Sequence, residues 1–355
     1  MLREDDLLLF LIVLLTWKMH KRRSVRSFSS SMTGPYLSLC VSAKSLPEGG
    51  NIGEVVLFDP AKTELLVLTE KAIPDEIVLA KGLGASKGWA FFCDPQDRCV
   101  HITDFMNPWA CKSNPKLFTL PPLTSLPSCQ TNAVCNVAMS ACPDDDKDSV
   151  VAIKSLGDQL SFCRPRRDLR WTKITTPLDY FPTSNLMHSK RDGRFYLPGP
   201  GGHHLLSYDL NFDKQGYQPE FHELQFRNFP KSFESELELS ELFPCSARTN
   251  TSYANSRLAS KEISYETQQF MVFKEEETTE GRFMCYTDDI GDTCIFISKG
   301  EAFCVQVSCF PGLEPNSIYF LGFGLGVYDL TSKTASSFLD PSVTLNQLMV
   351  SYWFI

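Results

Sequence analysis

The chain has 355 residues, a formal net charge of −8, 43% hydrophobic residues and 22 prolines. Its apolar content is sufficient for a large core, while the prolines exclude an architecture built from long helices. Residues 48–355 contain 39 acidic and 27 basic side chains, a net charge of −12, and so lack the basic surface that nucleic-acid binders use.

The first 33 residues form a leader in which a short apolar run precedes a basic segment. The run Leu7–Trp17 has 11 residues and, at ~1.5 Å per residue, is too short to cross a ~30 Å hydrocarbon core as a helix. Acidic residues precede it, unlike a secretory signal, and KMHKRRSVRSFSSSM follows, rich in Arg and Ser and free of acid, as in organellar presequences. We expect import into mitochondria, with chloroplasts or the cytoplasm as alternatives, and no stable membrane span. A signal anchor and a true start at Met19 or Met32 are the competing interpretations of the leader.

The segments after the leader repeat one pattern: a short apolar strand, an Asp and a polar turn. It occurs in VLFDPAKTE, SYDLNFDKQ and VYDLTSKTA, and the last two copies align on Tyr208 and Tyr328, 120 residues apart. GWAFFCDPQDRCVHITD predicts a hairpin across Asp94–Arg98. Sets of about four short strands, repeated every ~40 to 50 residues, are typical of propeller blades. We therefore predict an all-β propeller of six or seven blades over residues 34–335.

Three stretches depart from the strand pattern. The segment SFESELELSELF, Ser232–Phe243, predicts a short surface helix, and Cys245–Phe270 is polar and predicts a loop. Residues 336–355 differ in character and are assigned to a divergent C-terminal tail.

The sequence contains fragments of nucleotide-binding and catalytic motifs but no complete one. GLGASKGW has neither the Gly-Lys-Ser/Thr order of a phosphate loop nor a following helix, and no serine lies in G-x-S-x-G. The 13 cysteines contain no C-x-x-C pair, so we interpret most of them as reduced thiols that pack as small hydrophobes. We predict no catalytic residue, no cofactor and no metal site.

The histidine pair in PGPGGHHLL is the one candidate for a pocket. Adjacent side chains on a strand point to opposite faces, so His203 and His204 cannot both bind one metal without distortion. One of them packs or faces solvent, and the other is a candidate pocket residue.

The run GDTCIFISKGEAFCVQVSCFPGLEPNSIYFLGFGLGVYDL, together with GWAFFCD, SNPKLFTLPPL, RFYLPGP and MVFKEEE upstream, carries a family resemblance. It resembles the plant family that joins an F-box to a KIB-type, kelch-like β-propeller, formerly a domain of unknown function. The resemblance covers roughly residues 35–330 and is strongest to the organellar branch, which lacks the F-box and carries a presequence. In F-box relatives the propeller is thought to select substrates for a ubiquitin ligase; without an F-box, we expect no recruitment of the ligase core. The family supplies no catalytic residues. In its members the Cys245–Phe270 region holds an extra pair of strands, so the resemblance implies an incomplete blade here.

These observations favour a non-catalytic propeller that binds a protein partner, still unidentified, through its loops inside an organelle. The alternatives are a substrate-recognition protein related to F-box adaptors and an enzyme that uses the propeller channel, with His203 or His204 as the residue to test.

Overall fold

The fold is seen in a computed structural model of the chain. It describes residues 12–15, 34–123, 134–155, 159–175, 185–198, 204–213, 217–228, 270–298, 300–321, 325–338 and 352–355. The predicted helix Ser232–Phe243 and all but the last residue of the Cys245–Phe270 loop lie outside these ranges.

The described residues form 25 strands and two single-turn 3-10 helices, Asp75–Ile77 and Val307–Cys309. In chain order the strands of the first half are β1 Ile12–Leu15, β2 Tyr36–Ser45, β3 Asn51–Asp59, β4 Glu64–Ile73, β5 Lys81–Ser86, β6 Trp89–Cys93, β7 Val100–Thr103, β8 Leu117–Leu120, β9 Val134–Met139, β10 Val151–Ser155, β11 Gln159–Cys163 and β12 Thr172–Thr175. Those of the second half are β13 Met187–Ser189, β14 Arg194–Pro198, β15 His204–Tyr208, β16 Glu220–Glu223, β17 Phe226–Arg227, β18 Met271–Thr278, β19 Gly281–Thr287, β20 Thr293–Ile297, β21 Phe303–Gln306, β22 Ser317–Leu321, β23 Leu325–Asp329, β24 Thr334–Ser337 and β25 Trp353–Phe354.

The strands form six sheets, which confirms the predicted all-β propeller at the lower of its two blade numbers. The first sheet has the strand order β25-β2-β3-β4, and the next three follow chain order: β5-β6-β7-β8, β9-β10-β11-β12 and β13-β14-β15-β16. The fifth is β1-β18-β19-β17 and the sixth is five-stranded, β21-β20-β22-β23-β24. Within the described ranges, no helix has the length and apolar content needed to cross a membrane.

Six apolar clusters close the ring, because each one joins two neighbouring sheets. The cluster with Phe91 joins the second and third sheets, and that with Phe195 the third and fourth. The cluster with Phe273 joins the fourth and fifth sheets, that with Ile295 the fifth and sixth, and that with Phe296 the sixth and first. A sixth cluster joins the first and second sheets. Every blade thus packs on two neighbours, as a closed propeller requires.

Successive residues of one strand serve opposite neighbours. Ala90 packs towards the first sheet, whereas Phe91 packs towards the third. Because side chains alternate between the faces of a sheet and both faces are covered, strands such as WAFFC are continuously apolar instead of alternating with polar residues.

The recurring Asp fixes the turn at the end of its strand. The carboxylates of Asp59, Asp209 and Asp329 accept backbone N–H hydrogen bonds of 2.6 to 3.0 Å from residues two or three positions later. Such local hydrogen bonds are why Asp is favoured in turns. The repeated sequence pattern therefore corresponds to a repeated turn structure.

The two aligned copies are equivalent hairpins. Tyr208 pairs with Phe195 and Tyr328 with Ile318, and both tyrosine side chains are buried. The separation is 208 − 195 = 13 residues in the first copy and 328 − 318 = 10 in the second. The GFGLG hairpin is thus shorter than the GPGGHH hairpin.

The chain closes the first sheet with residues from near its C-terminus. Within the segment assigned to the tail, β25 pairs antiparallel with β2, Trp353 opposite Leu37 and Phe354 opposite Tyr36. The Trp353 indole N–H donates to the carbonyl of Ile297 at 3.1 Å, which also links the first sheet to the sixth.

The fifth sheet is the irregular one. Its inner pair, β18 and β19, is antiparallel, but β1 pairs parallel with β18 and β17 pairs parallel with β19. The strand β1 lies in the segment that the sequence assigns to the leader. Removal of residues 1–33 would therefore take one strand from this sheet.

Candidate functional site

A groove opens between the fifth and sixth sheets. We call it the interblade groove; it has a volume of about 400 Å³, and its walls come from β18, β19, β20 and β21. An adjoining cavity of about 650 Å³ shares Asp289, Gly291 and Asp292 with it. The loop between β19 and β20 lines both and supplies three aspartates, Asp288, Asp289 and Asp292, which we call the acidic rim.

One asparagine organises the loops around the groove. Asn316 has a φ of 54°, in the left-handed region that Asn tolerates better than most residues. Its side-chain oxygen accepts from the Ile290 N–H at 2.8 Å, while its amide group donates to the Asp288 carbonyl at 2.9 Å and to the Thr331 hydroxyl at 2.8 Å. The loop before β20, the residue before β22 and the turn after β23 are therefore tied together at one side chain.

Two members of the acidic rim are held by backbone hydrogen bonds. Asp289 accepts the N–H of Gly291 at 2.8 Å, and Asp292 accepts that of Ser308 at 3.2 Å. All three rim residues are exposed, and among the described residues none of their carboxylates takes part in an ion pair. The rim therefore presents negative charge to solvent. Lys274 is the basic residue of the groove lining.

The wall below the rim is largely apolar. Ile290 contributes aliphatic surface, and Cys304 contributes a thiol whose pKa is raised to about 12 by burial. At neutral pH this cysteine is protonated, so it acts as a small apolar group and not as a nucleophile or thiolate ligand. The groove combines an apolar wall with an acidic edge.

A second constellation lies where the first strands of neighbouring sheets meet. The strands β25, β5, β9 and β13 contact one another in that order, as inner strands around a propeller axis do. Glu301, which follows β20, reaches this place. Its side chain accepts hydrogen bonds from the Ser86 hydroxyl at 2.5 Å and from the backbone N–H of His188 at 2.8 Å. The Lys87 ammonium lies 3.9 Å from the same carboxylate. Glu301 thus joins the sixth sheet to the second and the fourth.

The Glu301 carboxylate is buried and is hydrogen bonded to two donors. Burial raises the pKa of its carboxyl group, while Lys87 and the hydrogen bonds from Ser86 and His188 act in the opposite direction. The neighbouring Gly300 accepts from the Asn136 side chain at 3.1 Å, and a Cβ at this glycine would lie 2.5 Å from the Ala85 carbonyl. This close approach requires glycine and fixes the turn against the inner strands. We call Gly300 and Glu301 the axial tie.

His188, which sequence reasoning did not single out, lies beside the tie. Its ring packs edge-to-face with that of Phe195, with the ring centroids 4.9 Å apart. Neither ring nitrogen of His188 has a hydrogen-bond partner among the described residues. Burial, with a smaller effect from Lys87, lowers the pKa of His188 to about 4. The imidazole is therefore neutral at physiological pH.

The predicted pocket pair is placed only in part. His204 lies at the start of β15, the third strand of its sheet, and its ring packs on Phe221 at 4.7 Å. His203 lies outside the described residues. The structure brings His204 neither to the axial tie nor to the interblade groove, and its role in a pocket stays a prediction.

The cysteines whose side chains the structure describes are free thiols, several of them buried in the intersheet clusters. Burial raises the pKa of Cys294 to about 12, with smaller effects from Cys304 and Asp292. Within the same ranges, no group of three or more His, Cys, Asp or Glu side chains is arranged to hold a metal ion.

Sequence reasoning missed Glu301 and the role of Asn316. The signal for Asn316 is an Asn directly before the strand SIYF in EPNSIYF, because Asn tolerates the left-handed conformation better than most residues. Glu301 stands alone between SKG and AFC, and nothing local distinguishes it from a surface residue.

Comparison with known proteins adds one positive finding. The family model described as KIB1-4 beta-propeller matches residues 57–336. No curated protein matches the chain. The matched range contains β4 to β23, and so includes the interblade groove and the axial tie.

Proposed function

Since the chain belongs to the KIB1-4 β-propeller family, we propose that it is a non-catalytic interaction scaffold that binds a protein partner inside an organelle. The observation that carries the proposal is the interblade groove, an open cleft with an apolar wall and charged rim on a ring of packed sheets. Loops held on a rigid scaffold are where propellers bind their partners.

The axial tie favours binding at the rim over chemistry in the channel. An enzyme that used the propeller channel would need room for substrate where Glu301 is hydrogen bonded to Ser86 and His188. The interblade groove needs no such opening, because its lining residues already face a cavity.

The organellar part of the proposal rests on the leader. Its segment from Lys18 to Met32 has five basic side chains and no acidic one, which suits a presequence. We propose mitochondria as the destination, with chloroplasts as the alternative, in line with the resemblance to the family branch that lacks an F-box.

The test of the scaffold role is affinity purification after crosslinking in isolated organelles. We expect the wild-type chain to retain a small set of stoichiometric protein partners at physiological salt. Recovery of ubiquitin-ligase components would replace the scaffold with the adaptor alternative. Turnover of a small molecule that His204→Ala abolishes would replace it with the enzyme alternative.

Localisation needs two fusions, because deletion of the leader also removes β1. Residues 1–33 joined to a fluorescent protein test the leader alone, and the full chain with a C-terminal fluorescent protein tests it in context. We expect both in mitochondria; cytosolic fluorescence from both would contradict organellar import.

A further inference from the structure

We propose that the interblade groove binds an extended segment of a partner protein in which an apolar side chain is flanked by Lys or Arg. The proposal rests on the scaffold function above and adds to it a surface and a partner chemistry. It is argued from the shape of the groove, the charge of its rim and the way the rim is held.

The groove has the size and lining of a site for one or two apolar side chains. Its volume of about 400 Å³ falls within the ~300 to 1,000 Å³ of typical ligand pockets. Ile290 and the protonated thiol of Cys304 offer a wall on which an aliphatic or aromatic side chain can be buried. Lys or Arg flanking that side chain would then lie at the rim.

The rim is matched to those basic groups. Asp288, Asp289 and Asp292 bring three carboxylates to one loop, against the single ammonium of Lys274 in the groove lining. Opposite charges across an interface speed association and select partners, and like charges reject them. An acidic partner segment or a nucleic acid would be repelled, whereas a basic segment would be attracted.

The rim needs little ordering when a partner binds. Asn316 ties its loop to the neighbouring turn through Ile290 and Thr331, and the backbone N–H groups of Gly291 and Ser308 hold two of the carboxylates. A preformed site avoids the entropy cost of arranging its own side chains. The groove is therefore preformed, and its acidic rim attracts basic segments before they bind.

The experiment measures fluorescence anisotropy of three labelled 12-residue peptides with the purified full-length chain. The first peptide places one Leu between Lys and Arg residues, the second replaces the Leu with Ser, and the third replaces the basic residues with Glu. We expect the first to bind most tightly and the third not to bind. The triple variant Asp288→Asn, Asp289→Asn, Asp292→Asn keeps the hydrogen-bond acceptors and should weaken binding of the first peptide about tenfold.

The matched control removes exposed charges elsewhere. Asp145→Asn, Asp146→Asn and Asp148→Asn together neutralise three exposed carboxylates of the loop after β9, in the third sheet, and should leave peptide affinity unchanged. Equal weakening by this control and the rim variant would overturn the proposal, because binding would then depend on net charge alone. Equal affinity of the Leu and Ser peptides would overturn it too, since the apolar wall would have no role. Titration with Ca²⁺ in place of peptide is a third arm: tight, saturable binding that the rim variant abolishes would identify a cation site instead.

Failure of this proposal can be told apart from failure of the scaffold function. If the rim variant retains every partner crosslinked in organelles, the scaffold stands and the groove is not its binding surface. If the wild-type chain captures no partner but binds the Leu peptide at the rim, the groove stands and the scaffold in that organelle does not.

Discussion

The two ends of β20 hold carboxylates in opposite environments. Before the strand, Asp289 and Asp292 are exposed, each fixed by a backbone N–H, with no ion pair among the described residues. After it, Glu301 is buried and accepts from Ser86 and His188 while Lys87 lies beside it. One five-residue strand thus separates carboxylates open to a partner from one enclosed by residues of the second and fourth sheets.

The fold thus uses the negative charge of Glu301 for structure and leaves that of the acidic rim available for binding. A buried carboxylate is costly unless donors surround it, so Glu301 stabilises the ring only as part of its hydrogen-bonded set. An exposed carboxylate without a cation contributes little to stability and can be matched by a binding partner. Substitutions at the two ends should therefore affect different properties.

The largest expected effect is loss of stability on Glu301→Ala. The substitution leaves the Ser86 hydroxyl and the His188 N–H without their acceptor, and removes the counter-charge of Lys87. We expect the free energy of unfolding to fall by about 3 to 5 kcal/mol, measured by urea denaturation. Glu314→Ala, at an exposed position, is the control and should change it by less than about 0.5 kcal/mol. If the two substitutions lowered the free energy of unfolding equally, the distinction between the buried carboxylate of the axial tie and the exposed carboxylates would be wrong.

Next in size is Asn316→Ala, which should lower stability by about 2 to 3 kcal/mol. It removes hydrogen bonds to Ile290, Asp288 and Thr331, and it places a Cβ-bearing residue without a local hydrogen bond at a φ of 54°. Asn316→Gly loses the same hydrogen bonds but tolerates the backbone, so it should recover about 1 kcal/mol. Thermal melts of both variants separate the two contributions. An alanine variant as stable as the glycine variant would contradict a role for the backbone conformation.

A smaller effect is expected from pH through His188. Its pKa is about 4 in the folded chain and ~6.5 when unfolded, so below pH ~6.5 the unfolded state takes up a proton that the folded state does not. Stability should therefore decline by about 2 kcal/mol from this residue as the pH falls from 7 to 4.5. Glu301, whose pKa is raised, acts in the opposite sense, because it favours the folded state below its unfolded pKa and loses this contribution as the pH rises.

The difference between the wild type and His188→Gln isolates the histidine. Urea denaturation at pH 7, 5.5 and 4.5 should show a shallower acid dependence for the variant. An unchanged dependence would indicate that the imidazole titrates normally in the folded chain.

The smallest effect is expected at His204. Replacement by Ala removes its ring contact with Phe221 and should cost no more than about 1 kcal/mol. Peptide affinity at the interblade groove should be unchanged, as anisotropy would show. A loss of affinity would mean that the fourth sheet takes part in the site, which would remove the distinction on which the comparison rests.

The sequence predicts the repeating parts of this fold well, and for a local reason. Tyr208 and Tyr328 occupy equivalent positions in equivalent hairpins because each hairpin is specified by strand residues and turn residues close in the chain. The Asp at the strand end is equally readable, since Asp59 and its counterparts bond to backbone only two or three residues away.

The candidate site is less predictable because its contacts are long-range. Glu301 lies 215 residues from Ser86 and 113 from His188, and no pattern in one strand reports such a contact. The acidic rim is visible in the sequence as TDDIGD, but its role as the edge of a groove depends on β18 and β21, which line the groove beside it. Local sequence patterns define the blades, whereas the arrangement of the blades around the ring defines the site.

The pairing of β25 with β2 has a consequence for synthesis. Tyr36 and Leu37 leave the ribosome more than 300 residues before Phe354 and Trp353, their partners in the first sheet. During that interval the edge of β2 has no covering strand, and the clusters that join the first sheet to its neighbours are incomplete. An uncovered strand edge invites pairing with other chains. A chain that folds before β25 is made therefore exposes this edge, and we expect its solubility in an expression host to depend on elongation rate.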